Sequence, residues 1–145
     1  MPFAPSLMLE RLKSRNLDSV IPGDQITEII FNKDEIIFKL IHSSKSEIPD
    51  LISFLIAAMG TSGLDENDMS KTEIVPTDKK TMEKTVTDFQ NRWKLDLELK
   101  KYVKEEILYL YNATDTERTN YDSEISFIIE TDSSYIYFFT HHFYY

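Results

Sequence analysis

The chain contains no cysteine among its 145 residues. Disulfide bonds, zinc sites with thiolate ligands and cysteine nucleophiles are therefore excluded. A chain without cysteine fits a reducing compartment. The first residues also lack a basic stretch followed by an apolar one, which a secretory signal would need. We therefore expect a cytoplasmic protein.

Basic residues are scarce as well, since 16 Lys and Arg stand against 25 Asp and Glu, for a net charge of −9. A protein that binds nucleic acid directly needs a basic footprint, and anionic membranes repel an acidic surface. We therefore expect neither nucleic acid nor a membrane as partner. The longest strongly apolar stretch, residues 51–59, is also far shorter than the roughly 20 residues that cross a bilayer. The charge favours a basic protein partner.

Motifs of catalysis and of metal or phosphate binding are absent from the sequence. It has no phosphate-binding loop and no nucleophile elbow. His141 and His142 are adjacent on a predicted strand, so their side chains would point to opposite faces and could not easily share one metal ion. His141 and Glu124, opposed in the predicted pairing, favour an ion pair over a catalytic dyad. We therefore expect no enzymatic activity, no metal and no cofactor.

The pattern of apolar residues predicts an α+β fold in a single domain, residues 1–145. β-branched and aromatic runs at about 25–42 and 124–143 predict two β-hairpins in a mainly antiparallel sheet. Three or four helices are expected to pack on it. The first would span residues 6–15, and a buried helix would begin at a Ser46 cap and end at Gly60. A short edge strand is expected at 72–75.

Residues 79–112 carry two helical stripes of apolar residues. One unbroken helix of this length would be unusual, so we expect two helices with a break near 94–97. A strand at the break is the alternative, because Leu95, Leu97 and Leu99 alternate with polar residues.

Each hairpin has a predicted register. In the first, a two-residue loop at Lys33 and Asp34 would place Phe31 opposite Ile36 and Glu28 opposite Lys39, which pairs opposite charges. In the second, a turn centred on residues 132–133 pairs the strands as follows: Glu130 with Tyr135, Ile129 with Ile136, Ile128 with Tyr137, Phe127 with Phe138 and Ser126 with Phe139.

The second hairpin would then have one core-like face and one face rich in tyrosine. The tyrosine face has two interpretations: it packs under a helix, or it binds a partner, because tyrosine is enriched at interface cores. Residues 113–145, which include this face, carry one basic residue against six acidic ones. The candidate partner-binding residues are Asp115, Glu117, Asp122, Glu124, Glu130, Tyr135, Tyr137 and Phe139.

The general profile, small, acidic, free of cysteine and α+β, resembles two broad groups of proteins. Bacterial immunity proteins neutralise a cognate toxin, often a basic nuclease, by covering its active site. Type III secretion chaperones are acidic α+β dimers that hold effector segments. The first resemblance implies a non-enzymatic inhibitor of a basic toxin domain, which is our leading hypothesis. The alternatives are an adaptor resembling the chaperones, although this chain is predicted to end in a strand rather than a helix, and a small enzyme.

Overall fold

The structure is a computed structural model. It describes residues 27–33, 36–48, 50–61, 72–94, 96–97, 99–115 and 125–142. The predicted helix at 6–15 lies outside the described residues. Within them, no helix is both long enough and apolar enough to cross a membrane.

Six strands form one antiparallel sheet. They are β1 (Thr27–Lys33), β2 (Ile36–Ser44), β3 (Thr72–Pro76), β4 (Tyr109–Asp115), β5 (Ser126–Glu130) and β6 (Ser134–His142). Their spatial order is β1-β2-β6-β5-β4-β3. The aromatic strand β6 therefore lies inside the sheet, hydrogen-bonded to β2 on one side and β5 on the other. The predicted edge strand near 72–75 is confirmed as β3.

Within the described residues, one α-helix packs on each face of this sheet, so the predicted three or four helices are not confirmed. Helix α1 (Leu51–Thr61) shares an apolar cluster with Ile41, Ile128 and Tyr137. Helix α2 (Lys79–Trp93) shares a second cluster with side chains of the opposite face, among them Phe38, Phe127 and Phe138. The α+β prediction is thus correct. Both sides of the central strands are buried, which requires apolar residues at consecutive positions along them.

Helix α1 begins four residues later than the sequence predicted. Asp50, and not Ser46, caps it: the Asp50 Oδ1 atom accepts a hydrogen bond from the Ser53 backbone N–H at 2.8 Å. Ser46 instead belongs to the turn that follows β2, where its hydroxyl lies 2.8 Å from that of Ser44. The helix itself is buried as predicted, with Phe54, Leu55 and four further apolar side chains inaccessible to solvent or nearly so.

Helix α2 has an acidic cap at its start and a left-handed residue at its end. Asp78 Oδ1 accepts from the Thr81 N–H at 2.7 Å, and this hydrogen bond lowers the pKa of Asp78. Lys94 follows the last helical residue with φ 52° and donates its N–H to the Gln90 carbonyl. The predicted break near 94–97 is therefore confirmed.

The predicted second helix after this break is wrong. A 3₁₀ turn at Leu99–Lys101 is followed by strand β4. Leu110 is buried on the α2 face of the sheet, and Tyr111 is buried on the α1 face. Only a strand can place consecutive side chains on opposite sides. The helical spacing of Leu99, Val103, Ile107 and Leu110 was therefore misleading: the first three pack from the connection against the α2 cluster.

The register of β5 and β6 is confirmed at all five predicted pairs. The register of β1 and β2 is wrong by two residues, because Lys33 pairs with Ile36 and Phe31 with Phe38. Glu28 therefore lies opposite Ile41, and not opposite Lys39 as predicted. A shift of two residues preserves the side-chain alternation, so the predicted faces of this hairpin are unchanged.

Candidate functional site

The three aromatic residues that were candidates for partner binding are buried. Tyr135, Tyr137 and Phe139 are 6%, 5% and 2% exposed. The Tyr135 ring stacks on Phe54 of α1 with centroids 5.5 Å apart, and Tyr137 stacks on Phe139 at 4.7 Å. The expectation that they form a partner surface is therefore wrong. The alternative interpretation, that this face packs beneath a helix, is the correct one.

The structure does not describe the side chains of most of the acidic residues that were predicted to bind a partner. Glu117, Asp122 and Glu124 lie outside the described residues, and so does the predicted Glu124–His141 pair. Asp115 ends strand β4, but the surroundings of its side chain are not described. Glu130 is described, and it lies beside the buried tyrosines on the face that the register predicted.

Glu130 forms an ion pair that joins the end of β5 to the turn after β2. The Lys45 Nζ atom lies 2.7 Å from Glu130 Oε2 and 5.4 Å from the centroid of the Tyr135 ring. The Lys45 backbone N–H also donates to the Ser133 carbonyl at 2.8 Å. Partial burial alone would lower the pKa of Lys45. The hydrogen bond and the charge of Glu130 outweigh this effect, so the pKa of Lys45 is raised.

Glu130 stands in a row of side chains that crosses the sheet. Tyr109 of β4 is directly opposite Glu130, which is directly opposite Tyr135 of β6. Tyr111 is two residues further along β4, so its side chain is on the same face as that of Tyr109. It is also close enough to Glu130 for the charge of this carboxylate to act on it. Burial, and next the negative charge of Glu130, raise the pKa of both Tyr111 and Tyr135. These two buried phenols therefore stay neutral beside the carboxylate.

The connection before β4 is fastened to the turn between β5 and β6. Glu105 accepts hydrogen bonds from the hydroxyl of Ser133 and, at 2.9 Å, from that of Thr131. These bonds lower the pKa of Glu105, the bond from Ser133 having the larger effect. The Leu108 N–H donates to the Glu130 carbonyl at 2.9 Å. Glu105 and Leu108 of the connection are thus attached to the β5–β6 turn and to the end of β5.

This end of the sheet carries an exposed surface that combines acidic and apolar side chains. Leu108 and Tyr109 are 48% and 51% exposed, although both are large and apolar. Three exposed carboxylates lie near them in the chain or in the strand pairing: Glu105 and Glu106 precede Leu108, and Asp132 follows Glu130, which pairs with Tyr109. We call this surface the acidic–aromatic patch, and it consists of Glu105, Glu106, Leu108, Tyr109 and Asp132.

Sequence reasoning missed this patch because it assigned residues 99–112 to a helix. The strand-like alternation Tyr109-Leu110-Tyr111 was a usable signal, since tyrosine favours strands. The role of Lys45 had no sequence signal, because its partner Glu130 lies 85 residues away along the chain.

The described residues contain no group of three or more histidine, aspartate or glutamate side chains that could hold a metal ion. No protein-family model matches the chain, and neither a curated protein nor a solved structure matches it. Inference about function therefore rests on the chemistry of the surface.

Proposed function

We propose that the protein is a non-enzymatic binding protein that holds a basic protein partner on the acidic–aromatic patch. The observation that carries the proposal is the exposure of Leu108 and Tyr109, about half of each side chain, among three carboxylates. Aromatic side chains are frequent anchors in protein interfaces, and surrounding charges accelerate encounter with a partner of opposite sign.

Two further features support the proposal. The patch is pre-organised, since Glu105 accepts hydrogen bonds from the β5–β6 turn and the Leu108 N–H donates to the carbonyl of Glu130. A surface that is already ordered loses less conformational entropy when it binds. In addition, the net charge of −9 gives the molecule a long-range attraction for basic proteins at low salt.

The finer proposal is that the partner is a toxin domain and that the protein inhibits it as an immunity protein does, by covering its active site. Occlusion needs a rigid surface with complementary charge and no catalytic group. The carboxylates of the patch and the hydrogen bonds of Glu105 support this proposal, in which Tyr109 takes the anchoring role that we had predicted for Tyr135, Tyr137 and Phe139.

Site-specific crosslinking in cells that naturally make the protein tests the proposal. Tyr109 is replaced by the photoreactive p-benzoylphenylalanine, and the matched control carries the same residue at Asn91, an exposed position of α2. We expect a crosslinked basic protein from position 109 and none from position 91. Equal crosslinking at the two positions, or none at either, would contradict the proposal.

Charge reversal then tests the electrostatic part with the purified partner. Glu106→Lys with Asp132→Lys is expected to raise the Kd at about 50 mM salt by roughly tenfold or more. The control is Glu83→Lys with Asp88→Lys, which makes the same charge change at exposed positions of α2. A similar loss in both double variants would show that only the overall charge matters. Inhibition of the partner's activity by one equivalent of protein tests the finer proposal.

A further inference from the structure

We propose that Glu130 and Tyr109 together receive one arginine side chain of the partner, beside the internal cation Lys45. This inference rests on the proposed function and specifies the chemistry that the patch recognises. It is carried by the position of Glu130, at the margin between the buried tyrosines and the exposed patch, with its side chain 19% accessible.

Only one of the two carboxylate oxygens of Glu130 has a hydrogen-bond partner among the described residues. Its Oε2 atom accepts the Lys45 ammonium at 2.7 Å. Among the described residues, its Oε1 atom has no hydrogen-bond partner. A carboxylate accepts several hydrogen bonds through its two oxygens, so it can bind a second cation without releasing the first.

Tyr109 supplies an aromatic ring next to this carboxylate. It is directly opposite Glu130 across the β4–β5 pair, where opposed side chains lie about 5 Å apart at Cβ, and it is 51% exposed. The protein already makes the same arrangement once, on the other side of Glu130: the Lys45 ammonium binds the carboxylate and lies over the Tyr135 ring. On the exposed side of the row, Glu130 and Tyr109 offer the same two groups, a carboxylate and an aromatic ring, to a cation from outside the protein.

The local charge balance also favours a second cation. The charge of Asp132 helps to raise the pKa of Lys45, and the charge of Lys45 helps to lower the pKa of Glu105. Lys45 is therefore within electrostatic range of three carboxylates, counting Glu130, which it contacts. An arginine fits better than a lysine, because the planar guanidinium stacks on an aromatic face while its edge donates to a carboxylate.

A peptide titration followed by NMR tests the proposal directly. The probe is acetyl-Gly-Arg-Gly-amide, and its control contains citrulline, which keeps the shape of arginine but has no charge. We expect saturable shift changes at Tyr109 and Glu130 with a Kd on the order of millimolar, and binding of the citrulline peptide at least about tenfold weaker.

Four variants identify the groups responsible. Glu130→Gln and Tyr109→Ala are each expected to weaken binding by about fivefold or more, whereas Tyr109→Phe keeps the ring and the affinity. Asp88→Asn, on the exposed face of α2, removes one negative charge elsewhere and should leave the affinity unchanged. Circular dichroism tests whether each variant is folded. If Glu130→Gln does not fold, the affinities of Tyr109→Phe and Tyr109→Ala for the arginine peptide are compared instead.

The outcomes separate this inference from the proposed function. Equal binding of the two peptides, or arginine binding that survives both Glu130→Gln and Tyr109→Ala, would overturn the arginine site. If the crosslinked partner still binds Glu130→Gln with unchanged Kd, the arginine site is wrong and the proposed function stands. If the arginine peptide binds as expected but position 109 crosslinks to nothing in cells, the arginine site stands and the proposed function fails.

Discussion

At the residue scale, Ser53 buries a hydroxyl that has no hydrogen-bond partner among the described residues. An unsatisfied buried hydroxyl destabilises the folded state, and alanine is also the better helix former. We therefore expect Ser53→Ala to raise the free energy of unfolding by about 1 kcal/mol. Equilibrium unfolding in urea measures the change.

Thr140 provides the matched control, because its hydroxyl is equally buried but accepts a hydrogen bond from the Ile125 N–H at 3.2 Å. Thr140→Val keeps the shape and leaves that donor unpaired, so it should lower the free energy of unfolding by about 1–2 kcal/mol. Changes of the same sign in the two variants would contradict the assignment of Ser53 as unpaired.

The Lys45–Glu130 pair is a second test at this scale. Each side chain is about three-quarters or more buried, and the pair connects residues far apart in the chain. In a double-mutant cycle of Lys45→Met and Glu130→Gln, we expect a coupling free energy of about 1 kcal/mol, above that of a typical exposed pair. The cycle is measured by urea unfolding at low salt. A coupling indistinguishable from zero would show that the pair does not stabilise the fold.

At the element scale, the start of helix α1 distinguishes two capping residues. Asp50 accepts from the Ser53 N–H, whereas Ser46 lies in the preceding turn. We expect Asp50→Ala to cost about 1 kcal/mol of unfolding free energy, and Ser46→Ala to change it by less than about 0.5 kcal/mol. Thermal and urea unfolding of both variants decide between the caps. A larger effect at Ser46 would restore the original prediction.

The elements that could be predicted from sequence are those with local information. The β5–β6 register was correct because its turn and its alternation agree. The β1–β2 register was wrong because the two-residue loop was placed at Lys33 and Asp34, with the pairing of Glu28 and Lys39 as support, whereas Lys33 is still in the strand and pairs with Ile36. Residues 109–112 were assigned to a helix because Leu110 continues the helical spacing of Leu99, Val103 and Ile107.

The candidate site was predicted only in part, for a related reason. Glu130 and its neighbour Tyr135 followed from the register of one hairpin. The exposure of Tyr109 and the burial of Tyr135 depend on where α1 lies, and on the pairing of β4 with β5. Both are contacts between residues distant along the chain, and one sequence contains no direct signal for them.

At the scale of the whole molecule, the sheet with a helix on each face buries several tyrosines beneath α1. Burial raises the pKa of Tyr137 to about 12, and a hydrogen bond with Ser126 offsets only part of the effect. Burial also raises the pKa of Tyr111 and Tyr135, with Glu130 as the second cause. The folded state therefore holds these phenolic protons to higher pH than the unfolded state does.

The consequence is a specific loss of stability at alkaline pH. A tyrosine whose pKa is higher in the folded state does not lower the free energy of unfolding at a pH below its unfolded pKa of about 10. As the pH rises from that value towards the folded pKa, ionisation of the tyrosine increasingly favours unfolding. Lys45 acts in the same direction, because the stability from its raised pKa is present below the ordinary lysine value and is lost as the pH rises through the folded one. Tyr137 alone should remove about 2 kcal/mol by pH 12.

Tyr137→Phe separates this residue from the rest of the alkaline effect. The variant loses the hydrogen bond with Ser126 and should be less stable at pH 7 by about 1 kcal/mol. Between pH 10 and 12 its unfolding free energy should fall less steeply than that of the wild type, because it has no phenol to ionise at this position. Urea unfolding at pH 7, 9, 10 and 11, with tyrosinate absorbance recorded in parallel, measures both effects. Equal slopes above pH 10 would mean that Tyr137 ionises as easily in the folded chain as in the unfolded one, and therefore that helix α1 does not keep water from strand β6.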